Sequence, residues 1–242
     1  MPDADKTSGA TGPGRLSAMT WPEVAARCRA TVLAVPVGST EQHGPHLPLS
    51  TDTDVAVALA SRLARARPDV VAAPAVAYGS SGEHAGFPGT LSIGQDALEL
   101  LLLELGRSAD AFAGVVFVST HGGNAEPVTR AVRRLTHEGR RVRSWQPSGT
   151  AASGLDVHAG YTETSVLMAL GPASVRAGQA VAGGTDGPTT AGDLMACLRR
   201  GGVASVSPNG VLGDPAGASA EAGRRLVDTW VADLLASLDG WP

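Results

Sequence analysis

Val32-Leu33-Ala34-Val35-Pro36-Val37 runs directly into Gly38-Ser39-Thr40-Glu41-Gln42-His43-Gly44-Pro45-His46-Leu47-Pro48-Leu49-Ser50-Thr51-Asp52. Six consecutive apolar residues bounded by Gly38 read as a buried strand. The following segment is built from small residues and prolines, yet it carries two histidines, a glutamate and an aspartate. Glu41 and His43 are two apart, so on extended backbone they project to the same side. Two carboxylates and an imidazole converging beyond a strand end suit a hard or borderline divalent metal. Singly, Asp52 reads as an N-cap for the next helix and the histidines as loop hydrogen-bonders. Four such residues within twelve positions favour a metal site, with His46 the weakest member.

The pattern of apolar run, loop and helical period then repeats along the chain. A helix is expected over about 53–66 and a strand over 70–76. Ser92 to Gln95 resembles a capping box opening a helix with Leu98, Leu101, Leu102, Leu105 and Ala109 at helical spacing. A strand is expected over 115–118, a helix over 125–138 and a strand over 141–146. Further helices are expected ending near Leu170, over 193–200 and over about 219–238. Residues 181–192 read as loop and 203–206 as a last strand. Strand–helix alternation implies an α/β fold, a three-layer α/β/α sandwich with a mostly parallel sheet. Ligands of such sheets sit beyond the carboxyl ends of the strands. Glu41, His43, Glu83, His84 and His121 all follow strands and are sent to one rim.

Three later motifs add chemistry. In His121-Gly122-Gly123-Asn124 the glycines leave backbone amides open to a substrate or oxyanion, while Asn124 alternatively caps a helix. Glu163 reads either as a helix-borne ligand or as a charge favoured at a helix N-terminus, with His158 a candidate proton donor. Glu83-His84 reads equally as a surface ion pair or as a substrate contact.

The 242 residues, 43% hydrophobic and 17% charged, fit one domain over 18–242 after a Gly/Pro/Ser-rich tail at 1–17. A net charge of −4 gives no footprint for nucleic acid. Cys28 and Cys197 make no disulfide framework, so a cytoplasmic setting is expected. No signal peptide and no membrane-length apolar run is read.

Taken in order, Gly38–Asp52, Gly82–Thr90, His121–Asn124, His158–Ser165 and Gly213-Asp214-Pro215 resemble the creatininase family, over roughly 30–238. The resemblance implies a dinuclear metal-dependent amidohydrolase, a homo-oligomer using iron(II) and zinc, or manganese(II). It implies one metal on Glu41, Asp52 and His121, and a second on His43, bridging Asp52 and a further carboxylate, with His158 protonating the leaving amine. Members acting on creatinine have a glutamate two residues after the third-motif histidine, where this chain has Gly123. Glu163 is the expected replacement, and creatinine is disfavoured as substrate. Glu83, His84, Gly122 and Gly123 are expected to contact substrate. Ser80–Gly94 and Val206–Pro215 most resemble members that cleave a modified, ribosomally made precursor peptide near its carboxyl end, releasing a Val-Tyr-derived compound. Other amidohydrolase substrates (creatinine, formamide-type) and a non-catalytic metal scaffold are the alternatives.

Overall fold

The computed structural model describes residues 14–148, 156–184 and 190–241. After a short helix α1 (Trp21–Ala25) the order is β1 (Val32–Val37), α2 (Thr51–Ala66), β2 (Val70–Ala72), α3 (Gln95–Ser108), β3 (Gly114–Ser119), α4 (Ala125–His137) and β4 (Val142–Trp145). Three helices complete it: α5 (Tyr161–Leu170), α6 (Ala191–Gly201) and α7 (Ala220–Ala236). The four strands form one parallel sheet in the order β2-β1-β3-β4.

Alternation along the strands divides the core into two. Val32 and Ala34 of β1 and Val116 and Val118 of β3 face Leu59, Leu63, Val166, Val227 and Leu234 of α2, α5 and α7. Leu33, Val35, Val115 and Phe117 face Leu98, Leu102, Val128 and Leu135 of α3 and α4. Helices therefore cover both faces, which is why β1 and β3 are buried along their whole length. β1 connects to β2 on one side, and the chain then crosses to β3 on the other. The C-terminal ends of β1 and β3 thus flank the point where strand order reverses, the usual place for a ligand in such sheets.

Several expectations are corrected. The strand over 70–76 ends at Ala72, because Pro74 has no N–H for a ladder; Val76 makes only an isolated bridge to Val37. Residues 203–206 form no strand: Val203–Ser205 is a 3₁₀ turn closed by bonds back to the Val203 carbonyl. Val203 is buried with Leu194 and Leu212 beneath α6, away from the sheet. Ser92 is no capping box, since Gly94 precedes α3 and the Ser92 hydroxyl accepts from the N–H groups of Ser81 and Gly94. Of the expected tail, 1–13 lies outside the described residues, while Gly14 and Arg15 pair with Ala72 at the edge of β2. Of the loop expected over 181–192, residues 185–189 also lie outside them, and α6 begins at Ala191.

α7 rests directly on α5, the helix that carries Glu163. A methyl group at Gly223 would overlap the Ser165 carbonyl. Gly223→Ala is therefore expected to force the two helices apart and to lower the unfolding free energy by about 1–3 kcal/mol, measured by urea denaturation. A variant as stable as the parent would show that this close approach carries no constraint.

Candidate metal centre

Polar backbone bonds shape the rim before any functional side chain enters it. The Asn124 amide donates to the Gly38 carbonyl and accepts from the Ser80 N–H, tying together the loops after β1, β2 and β3. It makes no side-chain cap on α4, so the capping reading of this residue fails. The Thr53 hydroxyl donates to the Ser39 carbonyl, and the Thr120 hydroxyl to the Asp52 carbonyl. Asp52 lies inside the first turn of α2, after Ser50, rather than capping the helix from outside. Its Oδ2 accepts from the Ser39 hydroxyl at 2.6 Å.

On this frame Glu41, His43, Asp52, His84, His121, His158 and Glu163 converge. His121 Nε2 lies 3.2 Å from Glu41 Oε2, and its Nδ1 lies 3.5 Å from Asp52 Oδ2. His43 Nε2 lies 3.4 Å from Asp52 Oδ1 and 3.8 Å from Glu163 Oε2. The His43 and His158 rings are 4.3 Å apart, and those of His84 and His158 4.5 Å. Glu163 is held in place by the Ala159 N–H at 2.6 Å. His46 stands apart: its Nε2 meets the Thr164 hydroxyl at 2.8 Å, so it braces the loop against α5. Gly122 lines an open cavity of about 240 Å³ shared with His121, His158, Glu163 and Gln146. At Gly123 a side chain would collide with the Ser80 carbonyl, His121 Nε2 and Glu83 Oε1. The Glu83 carboxylate, 3.5 Å from His121 Nε2, thus occupies the place where a side chain at 123 would begin.

The buried groups fit a cation. Both oxygens of Glu41 and Nε2 of His43 are buried without a hydrogen-bond partner, an expensive condition in an interior. His43 Nδ1 faces its neighbour's carbonyl, Glu41 O, at 3.2 Å, and His121 Nε2 faces Ser80 O at 3.1 Å. A carbonyl only accepts, so each ring carries a proton there. This leaves His43 Nε2 and His121 Nδ1 directed at the two different oxygens of Asp52. Among the described residues, three groups of donor atoms lie close enough to hold an ion: Glu41–Asp52–His121, His43–His158–Glu163 and Glu41–His84–His158.

Charge explains the protonation of the metal-free site. Burial alone would lower His43 and His121, but Asp52 and Glu163 around the first, and Glu41, Asp52 and Glu83 around the second, outweigh it and lift both to about 10. Burial would raise Glu41, yet His121, His43 and His84 hold it well below the usual carboxylate range. His84 has no such surplus of anions, and burial pushes it down to about 4. Burial and the neighbouring His43 push His158 down as well. Burial raises Glu163 and Glu83 against the attraction of His43 and His121 respectively.

Sequence reading missed Gln42, which reaches both His84 and His158, and Ser39, which fixes Asp52. Neither carries a motif-level signal beyond lying in the same loop.

A folded-state imidazole pKa above its ordinary 6.5 contributes stability that is full below that value and is lost as pH rises through about 10. Metal-free protein is therefore expected to lose unfolding free energy steadily from pH 6.5 to pH 10, measured by urea titration in the presence of a chelator. A flat profile would contradict the ion-paired state of His43 and His121.

The creatininase family model, described as creatinine amidohydrolase, matches residues 17–238. A protein of Mycobacterium ulcerans named mycofactocin precursor peptide peptidase is 47% identical over 231 residues, covering 92% of this chain and 86% of its own. One of the same name from Mycolicibacterium smegmatis is 49% identical over 216 residues, covering 87% and 85%. The crystal structure of creatinine amidohydrolase superimposes with a TM-score of 0.79 at 24% identity, covering 94% of this chain and 98% of that one. The chain belongs to the creatininase family of metal-dependent amidohydrolases.

Proposed function

We propose that this chain is a peptidase of mycofactocin biosynthesis, hydrolysing a modified, ribosomally made precursor peptide near its carboxyl end and releasing a Val-Tyr-derived product. The observation that carries the reading is near-half identity, over most of both chains, to relatives that bear that name. The cavity beside His121, His158 and Glu163 supplies space for an extended chain end.

Glu41, Asp52 and His121 would hold one divalent ion, and His43, Asp52 and Glu163 a second. Asp52 supports the pairing because its two oxygens already face the two histidines separately. Iron(II), zinc or manganese(II) suits this mixture of carboxylate and imidazole. Two such ions lower the pKa of a water and polarise a scissile carbonyl.

The chain's own residues provide the rest. Burial excludes bulk water from Glu41 and His43, so charge here is screened less than at the surface. His43 and His121 must each surrender one ring proton before serving as ligands, which makes metal uptake pH-dependent. His158 Nε2 donates to the Gln42 carbonyl at 2.8 Å. Its Nδ1 therefore faces the site as a bare acceptor, 3.9 Å from Glu41 Oε1. It takes a proton there and returns it to the departing nitrogen, the dual role expected of a histidine kept neutral by burial. Gly122 lines the cavity and has no side chain to obstruct the peptide.

A homo-oligomer is part of this reading. It is carried over from the family resemblance. The unpaired Cys28 and Cys197 support a cytoplasmic site of action. Among the described residues no helix is long and apolar enough to cross a membrane.

Metal-loaded protein incubated with the decarboxylated, cyclised precursor peptide should release the Val-Tyr-derived fragment, followed by mass spectrometry. Turnover of creatinine or a formamide-type compound in its place would move the assignment to another amidohydrolase. Metal binding without any turnover would leave a scaffold. Loss of an outer-shell partner typically costs 10–100-fold, so Asp52→Asn, which removes a shared ligand, should lower kcat/KM by more than about 100-fold. Metal content should fall with it while the circular dichroism stays unchanged. Full activity in metal-depleted Asp52→Asn protein would overturn the mechanism.

A further inference from the structure

Gln42 is buried between two of the residues discussed above as ligands, and every polar atom of its side chain is committed. Its Oε1 accepts from the Gly44 N–H at 2.9 Å. Its Nε2 donates to the Gly210 carbonyl at 3.1 Å. Reversing the amide would set N–H against N–H at Gly44 and carbonyl against carbonyl at Gly210, so its orientation is fixed. A methyl group at Gly210 would overlap Gln42 Oε1, and Gly210 has φ +80°, so glycine is needed here on both counts.

One amide hydrogen remains, and it points at His84 Nδ1, 2.9 Å away. That nitrogen must accept. The proton of a neutral His84 therefore lies on Nε2, which stands 3.3 Å from Glu41 Oε1. Gln42 Nε2 also lies 3.1 Å from His158 Nε2, but both amide hydrogens are already directed elsewhere and His158 Nε2 donates to the Gln42 carbonyl. That second approach is a contact between two donors, not a bond.

We propose that Gln42 is a positioning residue of this centre: it commits His84 to the Nε2–H tautomer, so that His84 turns an N–H, and not a lone pair, toward Glu41 Oε1 instead of binding a metal. Of the three groups of donor atoms, Glu41–His84–His158 is thereby withdrawn as a metal site, because the His84 lone pair is spent on Gln42. Each oxygen of Glu41 then faces an imidazole nitrogen, Oε1 that of His84 at 3.3 Å and Oε2 that of His121 at 3.2 Å. His84 acts through Glu41 and does not itself need to touch substrate. The metal part of the proposal rests on the function proposed above; the tautomer does not.

The test is long-range proton–nitrogen NMR of histidine side chains in the full-length protein. Metal-free wild type should show His84 and His158 both protonated at Nε2. In Q42E a carboxylate can only accept, so His84 should switch to protonation at Nδ1. With cadmium-113 bound, scalar coupling should reach His43 and His121 and be absent at His84. An outer-shell histidine is worth roughly 10–100-fold in metal affinity, so H84F should weaken zinc binding by that factor, while H84Q, which keeps an N–H at similar reach, should stay within about threefold. A wild-type His84 protonated at Nδ1, a cadmium coupling at His84, or an unchanged tautomer in folded Q42E would each overturn the proposal. Should Q42E not fold, the wild-type tautomer and the cadmium couplings decide alone. The metal-free measurement separates this proposal from the metal reading, which fails only if cadmium couples to neither His43 nor His121.

Discussion

Glu41 is wholly enclosed, and neither of its oxygens has a hydrogen-bond partner. An isolated buried carboxylate costs several kcal/mol even after the protein relaxes around it. The surrounding architecture is a response to that cost. His121 comes from the end of β3, His84 from the loop after β2, and His43 lies two residues onward in the same loop. His84 and His121 bring an imidazole nitrogen toward the carboxylate, and His43 adds its charge nearby. The site can be assembled only where β1 and β3 lie side by side with their C-terminal ends open, which the strand order provides. Asp52 faces the same constraint from the other side, and the first turn of α2 delivers it with its two oxygens parted between His43 and His121.

Positive charge on two imidazoles offsets the buried carboxylates. His43 and His121 are held charged in the metal-free state by the carboxylates around them. A divalent cation would replace those protons at the same nitrogens with little movement of the frame, since the remote nitrogen of each ring is already anchored to a backbone carbonyl. That anchoring is the usual outer support of a histidine ligand. It also explains why Ser80, Glu41 and Gln42 contribute main-chain atoms to a site whose side chains receive most of the notice.

Legibility in the sequence followed physical scale. The buried strands Val32–Val37 and Gly114–Ser119 were readable because burial on both faces demands unbroken apolar runs. The segment Val203–Val206 looks similar but has no neighbouring strand, and apolar character alone cannot distinguish a strand from a turn packed under a helix. Ligand-type residues in the Gly38–Asp52 loop were readable because carboxylates and imidazoles are rare among small residues and prolines. Gln42 was not, because a neutral amide becomes informative only when its hydrogen-bond partners are seen. The helix-cap readings of Asp52 and Asn124 failed for a related reason: local hydrogen bonding to the chain was outcompeted by partners 13 and 86 residues away.

Gly123 shows most directly why a site of this kind resists reading position by position. Taken alone, it marks the place where the family resemblance implies a carboxylate and this chain has none. In space the position is not vacant, because Glu83 from the preceding loop places its carboxylate where a side chain at 123 would begin. A second carboxylate, Glu163 on α5, stands on the far side of the centre near His43. Loops from different strands end within a few ångströms of one another at this rim, so a charge can be supplied from any of them. What the chemistry fixes is the balance of anions and imidazoles around two oxygens of Asp52 and two of Glu41. The glycine at 123 leaves the space beside His121 that the Glu83 carboxylate takes up.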